Sequence, residues 1–122
     1  MRSIRLALVL AGVLLSSSVF AQVIGTPASR FLFDQPAPDL ATANGYTYRI
    51  YSDASTTGTV TVATCTGTAS PFTCSMPIGA YTPGPHSVRF TAANAGGESA
   101  LSAALSFTFV VVPSVPINPR IQ

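Results

Sequence analysis

Tryptophan and lysine are absent from this 122-residue chain, histidine occurs once, and charged residues make up only 8% of it. Each shortage excludes something. With every basic residue an arginine and none of them clustered, there is no field to draw nucleic acid or an anionic membrane. One histidine leaves a single neutral base for nucleophilic or general acid–base catalysis. No glycine-rich phosphate loop precedes a helical pattern, and no Asn-x-Ser/Thr sequon occurs. Polarity is carried by serine and threonine, which suit strands and turns better than helices.

The first twenty-one residues have the layout of a secretory signal peptide. Arg2 and Arg5 start it, Leu6 to Leu15 is an apolar run with one glycine, and Ser16 to Ser18 lead to Val19-Phe20-Ala21 at the cleavage position. The competing reading is a membrane anchor, but an apolar run of about ten residues spans only half a bilayer core. No cysteine follows the run to carry a lipid. The expectation is cleavage after Ala21, export to a periplasmic or extracellular location, and no membrane attachment thereafter. The remaining chain sets Arg30, Arg49, Arg89 and Arg120 against Asp34, Asp39, Asp53 and Glu98, for no net charge.

Cys65 and Cys74 lie in TCTGTASPFTC. In an exported chain an even pair at short spacing reads as a disulfide. The intervening turn chemistry lets the two sulfurs meet across a hairpin. Closing a ring of about ten residues contributes roughly 2–3 kcal/mol on the chain-entropy model. A metal site would need more ligands than the distant His86 supplies, and a redox pair would be spaced Cys-x-x-Cys.

After the leader no helical period is apparent, whereas two-residue alternation recurs. A short strand is expected near Val23-Ile24, and another over Ser29 to Asp34 with Phe31 and Phe33 on one face. Gln35 to Gly45, with two prolines and Asn-Gly, reads as a loop. Tyr46, Tyr48 and Ile50 alternate with Thr47, Arg49 and Tyr51; Thr59 to Thr64 alternates with Val60 and Val62 inward. Phe72, Cys74, Met76 and Ile78 share one parity, as do Val88, Phe90 and Ala92, and then Leu105, Phe107, Phe109 and Val111. Phe33 and Phe90 are the expected core anchors. About seven short strands over residues 22–112 predict an all-β, seven-stranded sandwich of the immunoglobulin type. Residues 113–122, with Pro113, Pro116 and Pro119, read as a proline-rich linker or tail.

The run YTPGPHSVRFTAANAGGESALS, from Tyr81 to Ser102, resembles the last hairpin of a fibronectin type III module: a Pro-Gly turn, a strand, and a Gly-rich turn. Phe33-Asp34-Gln35-Pro36 is similar to that family's Trp-x-x-Pro, and Tyr46 to Tyr51 to its third strand. The segment between the cysteines looks like that of bacterial secreted members. The likeness extends over most of residues 29–111. Phe33 stands in place of the family's core tryptophan. His86 stands in place of the tyrosine whose hydroxyl ties down a neighbouring corner, where a neutral imidazole can make a shorter version of the bond. There is no Arg-Gly-Asp triplet, so an integrin role does not carry over. The resemblance implies a binding or spacer module and is hardly specific for function.

The chemistry-bearing residues fit that reading. His86 shares the parity of Val88 and Phe90 and reads as a half-buried structural residue. Asp34, Asp39, Asp53 and Glu98 are the carboxylates available for glycoside chemistry or a loop calcium site, and turn capping explains them more cheaply. Arg49 and Tyr51 face outward on one strand and Arg89 on another. In such a sandwich the two strands are neighbours, so the three side chains form a candidate binding face, in residue types enriched at hot spots; an ordinary solvated face is the alternative. The expectation is a non-catalytic module without cofactor or metal. It would present loops or a sheet face to a protein or cell-surface glycan, as a monomer or one unit of a modular assembly. The second reading is a carbohydrate-binding accessory module of a secreted enzyme system, which requires a row of exposed aromatics; Tyr51 and Tyr81 are the candidates.

Overall fold

A computed structural model describes residues 22–122, so the leader read in residues 1–21 lies outside the described residues. Strands dominate: β1 (Ile24–Gly25), β2 (Arg30–Gln35), β3 (Thr47–Ser52), β4 (Thr59–Thr61), β5 (Thr64–Thr66), β6 (Phe72–Pro77), β7 (Gly84–Asn94), β8 (Gly97–Glu98) and β9 (Leu105–Phe109). A single short helix, α1 (Leu40–Gly45), interrupts them. One sheet has the order β1-β9-β7-β3-β4, with β8 hairpinned onto β7; the other has the order β2-β6-β5. Every pairing is antiparallel except that of β1 with β9.

The two sheets meet through aromatic side chains. Phe31 of β2 contacts Phe90 and Phe107 edge-on at 5.4 and 5.5 Å, and Phe33 stacks on Phe90 at 5.4 Å. Edge-on and offset contacts suit the ring quadrupole. Cys74 and Met76 of β6 and Val88 of β7 are fully buried between the sheets. The parity of Phe72, Cys74, Met76 and Ile78 is therefore the inward one, as the alternation predicts. Phe33, by contrast, is half-buried, and Phe31, at 3% exposure, is the deeper anchor on β2.

Several elements differ from the sequence expectation. The segment read as a loop contains α1, because Asp39 caps it: its Oδ1 accepts the Thr42 amide at 2.7 Å and satisfies a donor that a helix start leaves free. Asn44, at the other end of α1, accepts the Cys65 amide at 2.8 Å and donates to the Cys65 carbonyl at 3.2 Å. It thereby pairs with the exposed edge of β5 as a strand would. The expected strand over 59–64 is two strands in two sheets. Val60 lies opposite Arg49 on the outward parity and is 61% exposed, and Val62, at 83%, lies where the chain leaves one sheet for the other. Thr59 and Thr61 take the positions opposite Ile50 and Tyr48. This split and the two-residue strand β8 raise the count among the described residues to nine; β1 is the short strand expected near Val23-Ile24. β9 ends at Phe109, so Val111 lies beyond it, half exposed.

At the end of β9 the chain is tied down by the Val110 amide, which donates to the Gly25 carbonyl at 2.9 Å. A side chain at Gly25 would meet the tip of Ile78 at 2.7 Å and the Phe107 ring at 3.0 Å, so glycine lets β1 lie this close to the core without displacing either. Beyond Val110 no residue belongs to a strand, and Val112, Val115, Ile117 and Ile121 are all more than 80% exposed.

Candidate functional site

The ladder between β3 and β7 places Tyr51 opposite Arg89 and Arg49 opposite Thr91. Since the intervening residues Tyr48, Ile50, Val88 and Phe90 point into the core, these four share the outer face of the larger sheet. The three residues singled out in the sequence, Arg49, Tyr51 and Arg89, are brought together there. Tyr51 and Arg89 floor an open-topped cleft of ≈ 810 Å³, and Arg49 lies outside its lining, 3.7 Å from Glu98. One wall is the turn after β3, from Asp53 to Thr56; the other is the segment from Glu98 to Leu101.

Glu98 is the hub of this face. One of its carboxylate oxygens accepts the Tyr51 hydroxyl at 2.6 Å and the buried Thr91 hydroxyl at 2.5 Å, and the Arg49 guanidinium lies 3.7 Å away. The Thr91 and Tyr51 hydrogen bonds, with Arg49 adding attraction, lower the Glu98 carboxyl below its ordinary range. The same contact raises the Tyr51 phenol, because deprotonation would break its donation to Glu98 and set two negative charges together. Gly58 closes over Tyr51: a side chain there would meet the ring at 2.6 Å. The phenol is thus held at its hydroxyl, with Gly58 close against that end of the ring. Sequence reasoning left Glu98 in a glycine-rich turn, and alternation along one strand carries no signal for a contact 47 residues away.

The β3 turn is fixed by Asp53. Its amide donates to the Ser87 carbonyl at 2.7 Å, and its carboxylate accepts the Ser87 amide at 3.0 Å and the imidazole of His86 at 2.7 Å. Asp53 and Ala54 both take positive φ, 52° and 61°, which turns the chain back over the sheet. The other ring nitrogen of His86 lies 2.6 Å from the Thr82 carbonyl oxygen. A carboxylate on one side and a carbonyl on the other both require a donor, so the protonated imidazolium is favoured over the neutral ring expected from the sequence. The hydrogen bond to Asp53 first, and that to Thr82 second, raise its pKa.

Tyr81, expected to be exposed, is packed instead. Its ring contacts Phe107 at 5.2 Å, Phe109 at 5.8 Å and Phe31 at 6.4 Å, and its hydroxyl lies 2.9 Å from that of Ser52. Cys65 and Cys74 face each other across β5 and β6 and are joined by a disulfide on the opposite sheet. The Tyr48 hydroxyl donates to the Ala43 carbonyl at 2.6 Å beside the two sulfurs, so α1, the bridge and the larger sheet meet at one buried point.

The carboxylates do not converge. Asp39 caps α1, Asp53 holds His86 and Ser87, and Glu98 holds Tyr51 and Thr91. Among the described residues no three His, Cys, Asp or Glu side chains gather as a metal site would require. Nor is any helix among them long and apolar enough to cross a membrane.

What fold and site define together is a mostly-β domain of two sheets, with one disulfide among the described residues and an open cleft on the outer face of the larger sheet. No family model matches the chain, and no curated protein or solved structure is significantly similar to it.

Proposed function

We propose that this chain is an exported, non-catalytic binding module, a fibronectin type III-like sandwich that presents the outer face of its larger sheet to a partner. The observation that carries this is the cleft over Tyr51 and Arg89, with Arg49 beside it, whose Tyr51 hydroxyl is held by Glu98 and whose turn wall is held by Asp53. A preorganised floor loses little side-chain entropy on binding. Arginine and tyrosine are the residue types most often found at binding hot spots. The strand order, with β3 beside β7 in one sheet and β2 beside β6 in the other, supports the immunoglobulin-like reading. The disulfide and the leader-like start of the chain support export. Residues 113–122 act as a linker that spaces the module from whatever follows or surrounds it.

The carbohydrate-binding alternative finds less support. Sugar platforms need a row of aromatic faces open to solvent, whereas Tyr81 is packed among phenylalanines and Tyr51 stands alone on the cleft floor with its hydroxyl engaged by Glu98.

Site-specific photo-crosslinking in the producing cells tests the reading. A photoreactive residue at Thr56, on the cleft wall, is expected to give a discrete adduct. The same residue at Thr73, outward on the opposite sheet, is expected to give none. Equal labelling from both positions, or none from Thr56, overturns the binding face.

A further inference from the structure

We infer that the cleft is a monoanion site that takes a carboxylate side chain of an extended acidic peptide on Arg89. This deepens the binding-face reading and rests on it.

Among the described residues, Arg49 is paired with Glu98, Arg30 donates to the Ser75 hydroxyl and Arg120 to the Asn118 carbonyl. The Arg89 side chain alone has neither a hydrogen bond nor an ion pair, although it is exposed on the cleft floor. Both acids of the cleft are already engaged, Asp53 by His86 and the Ser87 amide, and Glu98 by Tyr51, Thr91 and Arg49. The guanidinium is therefore the one unanswered charge of the cleft, and its planar fork matches a carboxylate.

The surroundings narrow the ligand. Asp53 and Glu98 line the same cleft as Arg89, so repulsion grows with the charge of an incoming anion and a single negative charge is favoured over a dianion such as a phosphate group. A sugar acid would want hydroxyl partners beside its carboxylate, and the Tyr51 and Thr91 hydroxyls are both spent on Glu98. An apolar surface does remain: Leu101, on the opposite wall, is 48% exposed. A glutamate or aspartate followed or preceded by an aliphatic residue would place its carboxylate on Arg89 and its neighbour on Leu101.

The test uses the intact, oxidised, isotope-labelled protein and two blocked peptides, Gly-Leu-Glu-Leu-Gly and its glutamine counterpart, titrated by NMR at low salt. The acidic peptide is expected to give saturable shifts at the Tyr51, Ala54 and Leu101 amides in the millimolar range. The glutamine peptide should bind at least about fivefold more weakly, as the loss of a charge-assisted hydrogen bond implies. Arg89→Gln should remove that discrimination. Arg30→Gln, which alters the opposite sheet, should leave it intact. Equal binding of the two peptides, discrimination that survives Arg89→Gln, or no saturable shift overturns the carboxylate site. If that happens while Thr56 still cross-links a partner, the binding face stands and only its ligand chemistry is wrong. If Thr56 captures nothing either, both readings fall together.

Discussion

The imidazole of His86 donates to the carboxylate of Asp53 at 2.7 Å, across 33 positions of sequence, and so locks the β3 turn to the start of β7. The two groups are shifted in opposite directions. Hydrogen bonding to Asp53 and to Thr82 raises His86; hydrogen bonding to His86 and to the Ser87 amide lowers Asp53. The raised histidine contributes stability that is fully present below its unfolded pKa of about 6.5 and is lost as pH rises through its folded value. The lowered aspartate contributes stability that is present above its unfolded value of about 3.9 and is lost as pH falls through its folded value. The melting temperature is therefore expected to be highest between roughly pH 4 and 6.5 and to decline as pH rises further. His86→Gln should flatten the alkaline side of that profile. An unchanged profile in the variant would show that the pair is not formed in solution.

The disulfide between Cys65 and Cys74 is expected to be present in the freshly isolated protein, so that alkylation succeeds only after reduction. Reduction should lower stability by about 2–3 kcal/mol, the loop-closure value for so short a ring. Two alkylatable thiols in the unreduced protein would remove the bridge from the account.

Among the core aromatics, Phe31→Ala and Phe90→Ala should each cost about 3–5 kcal/mol in urea melts, the usual penalty for an aromatic cavity. Phe33→Ala should cost less, because that ring is half-buried at the margin between the sheets. A Phe33 variant as damaged as the Phe31 variant would mean that the margin is closed in solution.

The Glu98 hub has a spectroscopic signature. Tyr51 should titrate above the ordinary tyrosine range, and Glu98→Gln should bring it back toward that range, followed through the ring carbon bearing the hydroxyl. A Tyr51 titration indifferent to Glu98→Gln would show that the hydroxyl does not sit on the carboxylate.

Truncation after Pro113 keeps the Val110 bond to Gly25 and removes residues that are all exposed. It should leave the melting temperature within about a degree or two, a change that corresponds to well under 1 kcal/mol for a domain of this size. A large drop would show that the tail docks on the sandwich.

Alternation along single strands was enough to read the inward faces of β3, β6 and β7 and the outward placement of Arg49, Tyr51 and Arg89, because parity is a local property of an extended chain. The close spacing of Cys65 and Cys74 likewise announced their bridge. The same parity misled at Val60 and Val62, since it says that two residues share a face but not which face is dry. That choice fell to register: pairing with β3 set Val60 beside Arg49. α1 escaped notice because a helix of six residues shows too little period, and its only local signal was Asp39 at the cap. Glu98 on Tyr51, Asp53 on His86 and Tyr81 among the phenylalanines are meetings of residues far apart in the chain, and only the stacking of the two sheets and the folding of turns over them decided these. Sequence by itself determined the pattern of strands and the residue types on each face; tertiary structure decided which charges were answered, leaving Arg89 without a polar partner among the described residues.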